Sequence, residues 1–448
     1  NLGGMVPADK IINAIRANEV DIIGLSGLIT PSLEEMIYVA GELEREKLSV
    51  PLLIGGATTS KKHTAVKIEQ QYSGPTVYVT DASRSVGTVR SLLNNKRKGE
   101  FIADVRKEYS RIRVSYEEKK VTRNLISLSE AREKKSHQNW KNYIPPEPEL
   151  KGIRIFENYS LNELTNYFDW TPFFTAWELK GKYPKIFRNK KVGRQAKILH
   201  DDALKLLKRI VSQNLLIAKG VIGFFPAVSI GDDIRIFRDE GRQQERMVLH
   251  HLRQQISKSH GQPNRCLADY VAPEESGLKD WIGVFAVTVG HGVETLSKKF
   301  EKDEDDYNKI LLKILADRFA EAFTERIHER VRQEFWGYAK DEVMDNESLI
   351  REKYRGIRPA PGYPSCPDHT EKSNLWNLLK VEKHTGITLT ENFAMIPAAS
   401  VSGWYFSHPD SAYFGLGPIT REQVTDYARR KGIEFNTAEK WLAPHLGY

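Results

Sequence analysis

Residues 1–95 alternate short apolar runs with longer amphipathic stretches. The apolar runs are continuous and rich in β-branched residues, as in strands buried on both faces of a parallel sheet, and they predict strands at 20–25, 50–54 and 76–79. The amphipathic stretches have helical spacing and predict helices at 7–18, 31–46, 61–70 and 82–93. This alternation is typical of a parallel sheet covered by helices on both faces. Because a sheet usually has about five strands, we expect further strand–helix units upstream of Asn1.

Two loops at the predicted carboxyl ends of these strands are rich in small and hydroxyl-bearing residues. Their sequences are LSGLITPS, at 25–32, and GGATTS, at 55–60. Ligands of open parallel sheets bind at the carboxyl ends of the strands, and small residues let a large polar ligand approach the backbone. Ser and Thr at these places also cap helices, so the composition leaves a binding role and a capping role open.

Residues 150–448 show no such alternation. The pattern predicts strands at 221–227, 233–237 and 281–289 and a long helix at 307–336. This mixture indicates a second domain that is not of the alternating α/β type. The proline-rich sequence PPEP, at 145–148, marks a boundary before it. We therefore predict domains at 1–95 and 150–448, joined by a charged linker at 96–149.

The excess positive charge of the chain is concentrated in this predicted linker. The 448 residues carry a formal net charge of +8, which invites a nucleic-acid-binding interpretation. Residues 96–135 contain thirteen Lys and Arg against seven Asp and Glu, and so hold six of the eight excess charges. Because the acids are interleaved and aromatic residues are few, the segment is typical of a solvated helical connector. A basic nucleic-acid-binding protein stays as an alternative, but we expect no nucleic acid among the partners.

Several classes of protein and site lack their sequence signals. Two cysteines, Cys266 and Cys366, are too few for a disulfide scaffold or a cysteine-based zinc site and are typical of a reducing cytoplasm. No apolar run is long enough for a transmembrane helix, and no signal peptide is recognisable, so we expect a cytoplasmic protein without a membrane partner. There is no P-loop, no dinucleotide fingerprint and no H-E-x-x-H motif. The histidines lack metal-ligand spacing, and we assign no metal ligand in this chain.

Three constellations in the second domain carry candidate chemistry. Asp169 lies in the aromatic sequence NYFDWTPFF and is either a helix cap or a carboxylate in an aromatic pocket suited to an ammonium group. Arg358 opens the rigid sequence RPAPGYP, which is either a structural turn or a loop suited to bidentate capture of a carboxylate. Asp317, Glu321 and Glu325 recur every four residues on one helix face, which is typical of a solvated face paired with basic side chains.

Taken together, these segments resemble the C-terminal part of cobalamin-dependent methionine synthases. The resemblance to the cobalamin-binding domain of that family is carried by the sequences DIIGLSGLITPSLEEM, PLLIGGATTSKKHTAVKIEQ and VYVTDASRSVG. The resemblance to its S-adenosylmethionine (AdoMet) activation domain is carried by DWTPFF, GVIGFFPA, HHLRQQ, GIRPAPGYPSCPDHTEK and SVSGWYFSHPDSAYF. It covers the whole chain apart from the linker. It implies a flavodoxin- or Rossmann-like parallel-sheet cobalamin domain, truncated at its N-terminal edge. A mixed α+β activation domain with a largely antiparallel sheet and long helices follows it.

The resemblance also implies which residues contact each ligand. It assigns cobalamin contacts to Ser26, Thr30, Ser32, Gly55, Gly56 and Ala82. It assigns the amino group of AdoMet to Asp169 and the carboxylate to Arg358, and it lines the same site with Ala360, Tyr363, Tyr413 and Phe414. It places Asp317 and Glu321 opposite the cobalamin domain, with an interdomain role.

The implied activity is that of a methyltransferase that moves a methyl group from 5-methyltetrahydrofolate to homocysteine through methylcobalamin. In this region the resemblance implies reactivation: flavodoxin or a flavoprotein reductase reduces cob(II)alamin by one electron, and AdoMet methylates the product. The remaining domains of the parent chain are implied partners. We expect the cobalt-ligating histidine upstream of Asn1, and the zinc of the family in an N-terminal domain outside this sequence. A non-catalytic corrinoid- or AdoMet-binding module stays as an alternative.

Overall fold

The chain forms two units, Asn1–Asn124 and Leu125–Tyr448. The computed structural model describes residues 2–3, 6–27, 31–56, 58–80, 82–94, 96–121, 124–259 and 261–448, and of residues 31, 82–84 and 116–121 it describes the backbone alone. Within these ranges, no helix has the length and apolar character needed to cross a membrane.

The first unit is built on a three-stranded parallel sheet in the order β1-β2-β3. Its elements are α1 (Ala8–Ala17), β1 (Ile23–Ser26), α2 (Pro31–Arg45), β2 (Leu52–Gly55), α3 (Lys61–His63), β3 (Thr76–Tyr78), α4 (Ala82–Leu93) and α5 (Lys98–Val121). The helical path of α3 continues as a π-helix over Thr64–Ile68 and a 3-10 turn over Glu69–Gln71. The predicted α/β alternation with a parallel sheet is confirmed.

Helices cover both faces of this sheet because its central strand is apolar on both sides. Leu52 and Ile54 of β2 belong to one buried cluster, together with residues of α1 and α2. Leu53, between them, belongs to a second cluster that includes Val77 of β3 and Leu92 of α4. Since successive residues of a strand point to opposite faces, β2 is buried on both, as its continuous apolar sequence predicts.

The segment predicted as a solvated linker, 96–149, contributes buried side chains to both units. Tyr109 of α5 is 1% exposed, and its hydroxyl oxygen accepts the Tyr78 N–H at 2.8 Å. Further along the chain, Leu128 is buried in the second unit. The basic excess lies on helices whose apolar residues face cores, and charge composition alone could not reveal this. The predicted limits at 95/96 and 149/150 stay a prediction.

The second unit contains a six-stranded antiparallel sheet in the order β11-β8-β5-β6-β7, with β4 also paired to β5. Its elements are α6 (Leu128–Glu133), β4 (Gly152–Tyr159), α7 (Leu161–Leu164), α8 (Trp170–Ala176), α9 (Gly193–Ser212), β5 (Ile217–Ile230), β6 (Asp233–Phe237), β7 (Glu245–His250), β8 (Asp280–His291), α10 (Val293–Lys302), α11 (Asp306–Arg330), α12 (Asn346–Ile350), α13 (Lys372–Leu379), α14 (Val381–Thr385), β9 (Thr388–Leu389), β10 (Met395–Ile396), β11 (Ser400–Tyr405), α15 (Arg421–Lys431) and α16 (Phe435–Trp441). The predicted α+β class with a largely antiparallel sheet is confirmed.

The long helix α11 packs on one face of this sheet and carries part of the candidate site. Asp305 caps its N-terminus by accepting the Asn308 N–H at 3.0 Å. Leu315, Phe319 and Phe323 recur every four residues, are fully buried, and belong to the same cluster as sheet residues of β5 and β8. The opposite face of the sheet packs on α13 and α14. Helix α11 is thereby fixed against the sheet over several turns.

Candidate functional site

The loop that carries Arg358 is held by backbone hydrogen bonds to the end of β11. Ile357 and Phe406 exchange two of them, at 3.1 and 3.0 Å, and the Trp404 N–H donates to the Pro359 carbonyl at 2.9 Å. The following turn is closed by the Gly362 N–H on the Cys366 carbonyl, at 2.7 Å. At Gly362, φ is +90°, and a Cβ would overlap the His369 ring, so only glycine fits there. The loop is rigid, as its prolines predict.

Helix α11 holds the Arg358 guanidinium through Glu325 and His328. Its Nη1 and Nη2 donate to Glu325 Oε1 and Oε2, at 3.0 and 2.6 Å. Nη1 also lies 3.1 Å from both His328 Nδ1 and the Tyr354 hydroxyl oxygen. Burial alone would lower the pKa of Arg358, but the charge of Glu325 and its hydrogen bond raise this pKa well above its ordinary value. Arg358 is therefore a permanent cation, and its side chain keeps 17% of its surface exposed.

The acidic face of α11 runs from solvent into this site. Asp317 is exposed and pairs with Arg318, Glu321 is partly buried, and Glu325 is 7% exposed. Burial raises the pKa of Glu321, although the charges of Arg318 and Arg358 oppose the rise. The expectation of a solvated face paired with basic side chains holds for Asp317. Glu325 is paired with a basic side chain, Arg358, but it is buried and not solvated, because it lies under the Arg358 loop.

Asp169 caps α8, as one of its two interpretations predicts. Its Oδ1 accepts the Thr171 N–H at 2.9 Å, and within the described residues Oδ2 has no hydrogen-bond partner. The preceding Phe168 packs edge-on against Phe319 of α11, with ring centroids 4.8 Å apart. Asp169 thus follows a residue anchored to the helix that carries Glu325, with one carboxylate oxygen left for a ligand.

The C-terminal aromatic residues join the Arg358 loop rather than Asp169. The Tyr413 hydroxyl oxygen accepts the Arg358 backbone N–H at 3.0 Å and lies 3.4 Å from the Tyr354 hydroxyl. Tyr363 is 56% exposed and Tyr413 is 37% exposed, whereas Phe414 packs against the second core of the unit. Ala360, also on the loop, is buried and its carbonyl accepts the Tyr363 N–H at 3.1 Å.

Sequence reasoning missed three side chains that hold Arg358. Glu325 was singled out only as part of the acidic face, and His328 and Tyr354 were not singled out at all. The single local signal was the spacing from Tyr354 to Arg358, four residues along the chain. Glu325 and His328 lie 33 and 30 residues away from Arg358, and no periodicity reports a contact of that range.

The first unit brings the two small-residue loops into contact at the carboxyl ends of β1 and β2. The Gly27 N–H donates to the Gly55 carbonyl at 2.8 Å, and the Thr58 N–H donates to the Gly27 carbonyl at 3.3 Å. Gly56 has φ +108°, and a Cβ there would overlap the Gly27 backbone. Small residues are therefore required for the loops to meet, whatever further role they have.

The predicted cobalamin residues are described to different extents. Ser26 is exposed at the end of β1, opposite Gly55 in the sheet register. Ser32 lies in the first turn of α2. Thr30 lies outside the described residues, and Ala82 is described by its backbone alone, as the first residue of α4. In the described part of the chain, His, Cys, Asp and Glu form no group of three or more that could hold a metal ion.

Comparisons with known proteins match both units. Residues 160–432 match the family model described as "Vitamin B12 dependent methionine synthase, activation domain". Residues 1–72 match the model of the B12 binding domain. Among solved structures, the chain resembles one titled "Crystal Structure of the MetH Reactivation Domain bound to AdoHcy", with a TM-score of 0.70 and 54% sequence identity. The match covers 72% of this chain and 99% of that one.

Proposed function

This chain belongs to the family of the vitamin B12 dependent methionine synthase activation domain, and we propose that it performs the AdoMet-dependent reactivation of cobalamin in a methionine synthase. The observation that carries the proposal is Arg358, a permanent cation on a rigid loop, held by Glu325 and still partly exposed. A pre-organised guanidinium of this kind is suited to the carboxylate of an amino-acid ligand. The match to a reactivation domain solved with S-adenosylhomocysteine (AdoHcy) supports the same ligand class.

The residues of the second unit fit AdoMet by their chemistry. AdoMet carries a carboxylate, an ammonium group and a sulfonium cation. Arg358 would bind the carboxylate, and the unpaired oxygen of Asp169 would accept from the ammonium group. The exposed rings of Tyr363 and Tyr413, with Ala360 and Phe414 beside them, line the same loop region. Aromatic faces attract cations such as a sulfonium.

The residues of the first unit fit the polar tail of cobalamin. The carboxyl ends of β1 and β2 offer an exposed hydroxyl from Ser26 beside the small residue Gly55, while the space next to Gly56 is occupied by the Gly27 backbone. Such a surface lets a bulky polar group approach main-chain donors and acceptors. We assign the cobalamin contacts to these residues together with Thr30, Ser32 and Ala82. Asp317 and Glu321 have the interdomain role in this proposal.

When both ligands are bound, cobalamin supplies the cobalt centre that is methylated and AdoMet supplies the methyl group. The chain contributes binding and orientation. Arg358 and Asp169 would fix the two ends of the amino-acid moiety, so that the methyl donor has one orientation relative to the protein. The backbone hydrogen bonds between the loop and the end of β11 fix the main chain that carries Arg358, so the position of this residue is set before a ligand binds.

The electron donor is proposed to be flavodoxin or a flavoprotein reductase. A basic surface supports an acidic protein partner, because residues 179–200 contain eight Lys and Arg and no Asp or Glu. All eight side chains are exposed: Lys180, Lys182, Lys185, Arg188, Lys190, Lys191, Arg194 and Lys197. Opposite charge accelerates encounter and weakens with salt. The remaining domains of the parent chain are the other proposed partners, and we propose a cytoplasmic location.

A single-turnover assay tests the proposal. Reduced cobalamin is mixed with the protein and AdoMet labelled in its methyl group, and label on cobalt is followed with time. We expect transfer that depends on the protein and is lost with Arg358→Ala. Binding of AdoHcy without any transfer would instead identify a non-catalytic ligand-binding module. Absence of AdoHcy binding by calorimetry would overturn the proposal altogether.

A further inference from the structure

The contacts of Arg358 with its neighbours engage some N–H groups of the guanidinium and leave others without an acceptor in the described residues. A guanidinium has five N–H donors in a fixed plane. Glu325 takes one hydrogen of Nη1 and one of Nη2, at 3.0 and 2.6 Å. The second Nη1 hydrogen faces His328 Nδ1 and the Tyr354 oxygen, both at 3.1 Å. The hydrogen of Nε and the second hydrogen of Nη2 have no acceptor among the described residues.

These two remaining N–H groups lie on the same edge of the guanidinium. Nε–H and the outer Nη2–H are parallel in an arginine, and this edge, like the Nη1/Nη2 end, matches the two oxygens of a carboxylate. Glu325 occupies the end of the fork and leaves the edge. Since 17% of the Arg358 side chain is exposed while its Nη1 side faces buried groups, the edge is the part of the cation that a ligand can reach.

His328 completes the arrangement by accepting rather than donating. Burial lowers the pKa of His328 well below its ordinary value, and the charges of Arg332 and Arg358 act in the same direction. The ring is therefore neutral and its Nδ1 can accept from Arg358 Nη1. Its plane is set by stacking on Tyr405, with centroids 5.2 Å apart and an interplanar angle of 12°. The guanidinium is thus held in its plane as well as at its end.

We infer that Glu325 is a positioning residue for ligand binding: it holds the Nη1/Nη2 end of Arg358 and so presents the Nε/Nη2 edge to the carboxylate of AdoMet or AdoHcy. This inference rests on the proposed function and deepens it. Without Glu325, Nη2 loses its acceptor and Nη1 keeps only His328 and Tyr354, so the direction of the Nε/Nη2 edge is less firmly fixed. A ligand carboxylate would then have to order the cation as it binds, which costs affinity.

A second ion pair on the same helix offers a matched control. Glu329, one turn further along α11, is 8% exposed and accepts from Arg326 Nη1 at 2.7 Å. The Nε of Arg326, however, already donates to Glu163. Glu329 therefore shares helix, burial and ion pairing with Glu325, but its arginine has no corresponding edge left for a ligand. Glu329→Gln tests the general effect of removing a buried carboxylate from α11.

Calorimetric titration with two ligands separates positioning from general stability. One ligand is AdoHcy, and the other is its decarboxylated analogue, which keeps the amine and the nucleoside. We expect Glu325→Gln to weaken AdoHcy binding about tenfold, by analogy with the loss of affinity when a hydrogen-bond partner of a metal ligand is removed. Binding of the analogue should change less than about twofold, since it lacks the carboxylate. The preference for the carboxylated ligand shrinks accordingly. Glu329→Gln should leave that preference unchanged.

The outcomes distinguish a positioning role of Glu325 from a general contribution to the stability of α11. A parallel loss for both ligands, or an undiminished preference in a folded Glu325→Gln variant, would overturn the inference. If that variant does not fold, Glu325→Asp decides, since it keeps the charge but shortens the side chain by one methylene. A smaller selective loss of AdoHcy supports positioning, and wild-type binding of both ligands overturns it. If the wild-type chain binds no AdoHcy, the proposed function fails first and the inference fails with it.

Discussion

Two arginines of the second unit, the buried Arg253 and the partly exposed Arg358, are both held by carboxylates, and they differ in which N–H groups remain unpaired. Arg253 is 1% exposed, and its Nε donates to Asp232 while its Nη1 and Nη2 donate to Asp269. Nη1 also donates to the Asn264 carbonyl at 2.8 Å. Arg358 is 17% exposed and its Nε donates to nothing in the described residues. Arg253 thus has its Nε edge engaged by a carboxylate and is called the scaffold arginine below, whereas Arg358 keeps that edge unpaired and is called the proposed receptor.

The surroundings of the two arginines follow the same division. Asp232 is shared between Arg253 and Arg132, at 2.7 Å each, and Arg132 continues to Asp426 of α15. This network ties the turn after β5 to α6 and to α15. The Arg358 group is smaller and ends at the protein surface.

The largest expected effect is on folding, from Arg253→Met. The change leaves Asp232 and Asp269 with fewer partners in a site that water does not reach, and breaking a buried ion pair costs about 3–5 kcal/mol. Urea unfolding should show this loss. Arg429→Met is the control, because Arg429 is 73% exposed and pairs with Asp426 of the same network; about 0.5 kcal/mol is expected. Equal losses of unfolding free energy in the two variants would show that Arg253 stabilises the fold no more than the exposed Arg429 does.

The next effect is on ligand affinity, from Arg358→Ala. Loss of the guanidinium removes the proposed partner of the ligand carboxylate, and we expect AdoHcy binding to weaken by about 2–4 kcal/mol, the range for truncating one member of a buried charge pair. Calorimetry measures it. Combining the change with Glu325→Gln avoids an unpaired buried carboxylate and checks that the loss is not a folding effect. Unchanged affinity in either variant would contradict the receptor role.

The smallest effect concerns acid sensitivity and the scaffold carboxylate Asp426. Burial would raise its pKa, but hydrogen bonds from Arg430 and Arg429 and the charges of Arg430 and Arg132 lower it to about 2, from 3.8. A lowered carboxyl pKa stabilises the folded state fully above about pH 4, and the stabilisation is lost as the pH falls from there towards 2. Asp426→Asn should abolish this contribution, which changes by at most about 1.4 kcal/mol per pH unit.

The measurement is urea unfolding of wild type and Asp426→Asn from about pH 6 down to about pH 3, a range that spans the ordinary carboxyl pKa. The difference in unfolding free energy should be constant above about pH 4 and shrink below it. AdoHcy affinity at pH 6 should be equal in the two proteins. A difference that is flat over the whole range would mean that the network around Asp426 does not hold its carboxylate in the ionised form.

Local hydrophobic patterns in the sequence were enough to predict most of the fold. The continuous apolar sequence of β2 and the four-residue spacing along α11 each report an environment that is uniform along one element, and periodicity detects that directly. The prolines around Ala360 likewise predicted a rigid loop. The helix after Gly55 and Gly56 was predicted as regular, whereas it passes through a π-helical turn at Thr64–Ile68, since hydrophobic spacing does not distinguish these helix types.

The candidate site was predicted less completely because its geometry depends on distant pairs. Arg358 and Asp169 stood out through unusual local composition. Glu325 did not, since an acidic residue on a helix face has the same local pattern in solvent as under a loop. Tyr109 failed to stand out for a similar reason, because α5 reads as a charged segment until its buried residues are placed on the first unit.

The loop that carries Arg358 also covers part of one edge of the six-stranded sheet. Strand β11 is the last strand on its side of the sheet, and Ile357 and Pro359 occupy the backbone groups that it would otherwise turn outward. Unpaired strand edges recruit other strands and promote aggregation, and prolines stop such growth. Pro359, Pro361 and Pro364 make the loop a terminus for the sheet. The backbone here therefore has a second role besides presenting Arg358, because a shift of the loop would uncover that edge of the sheet.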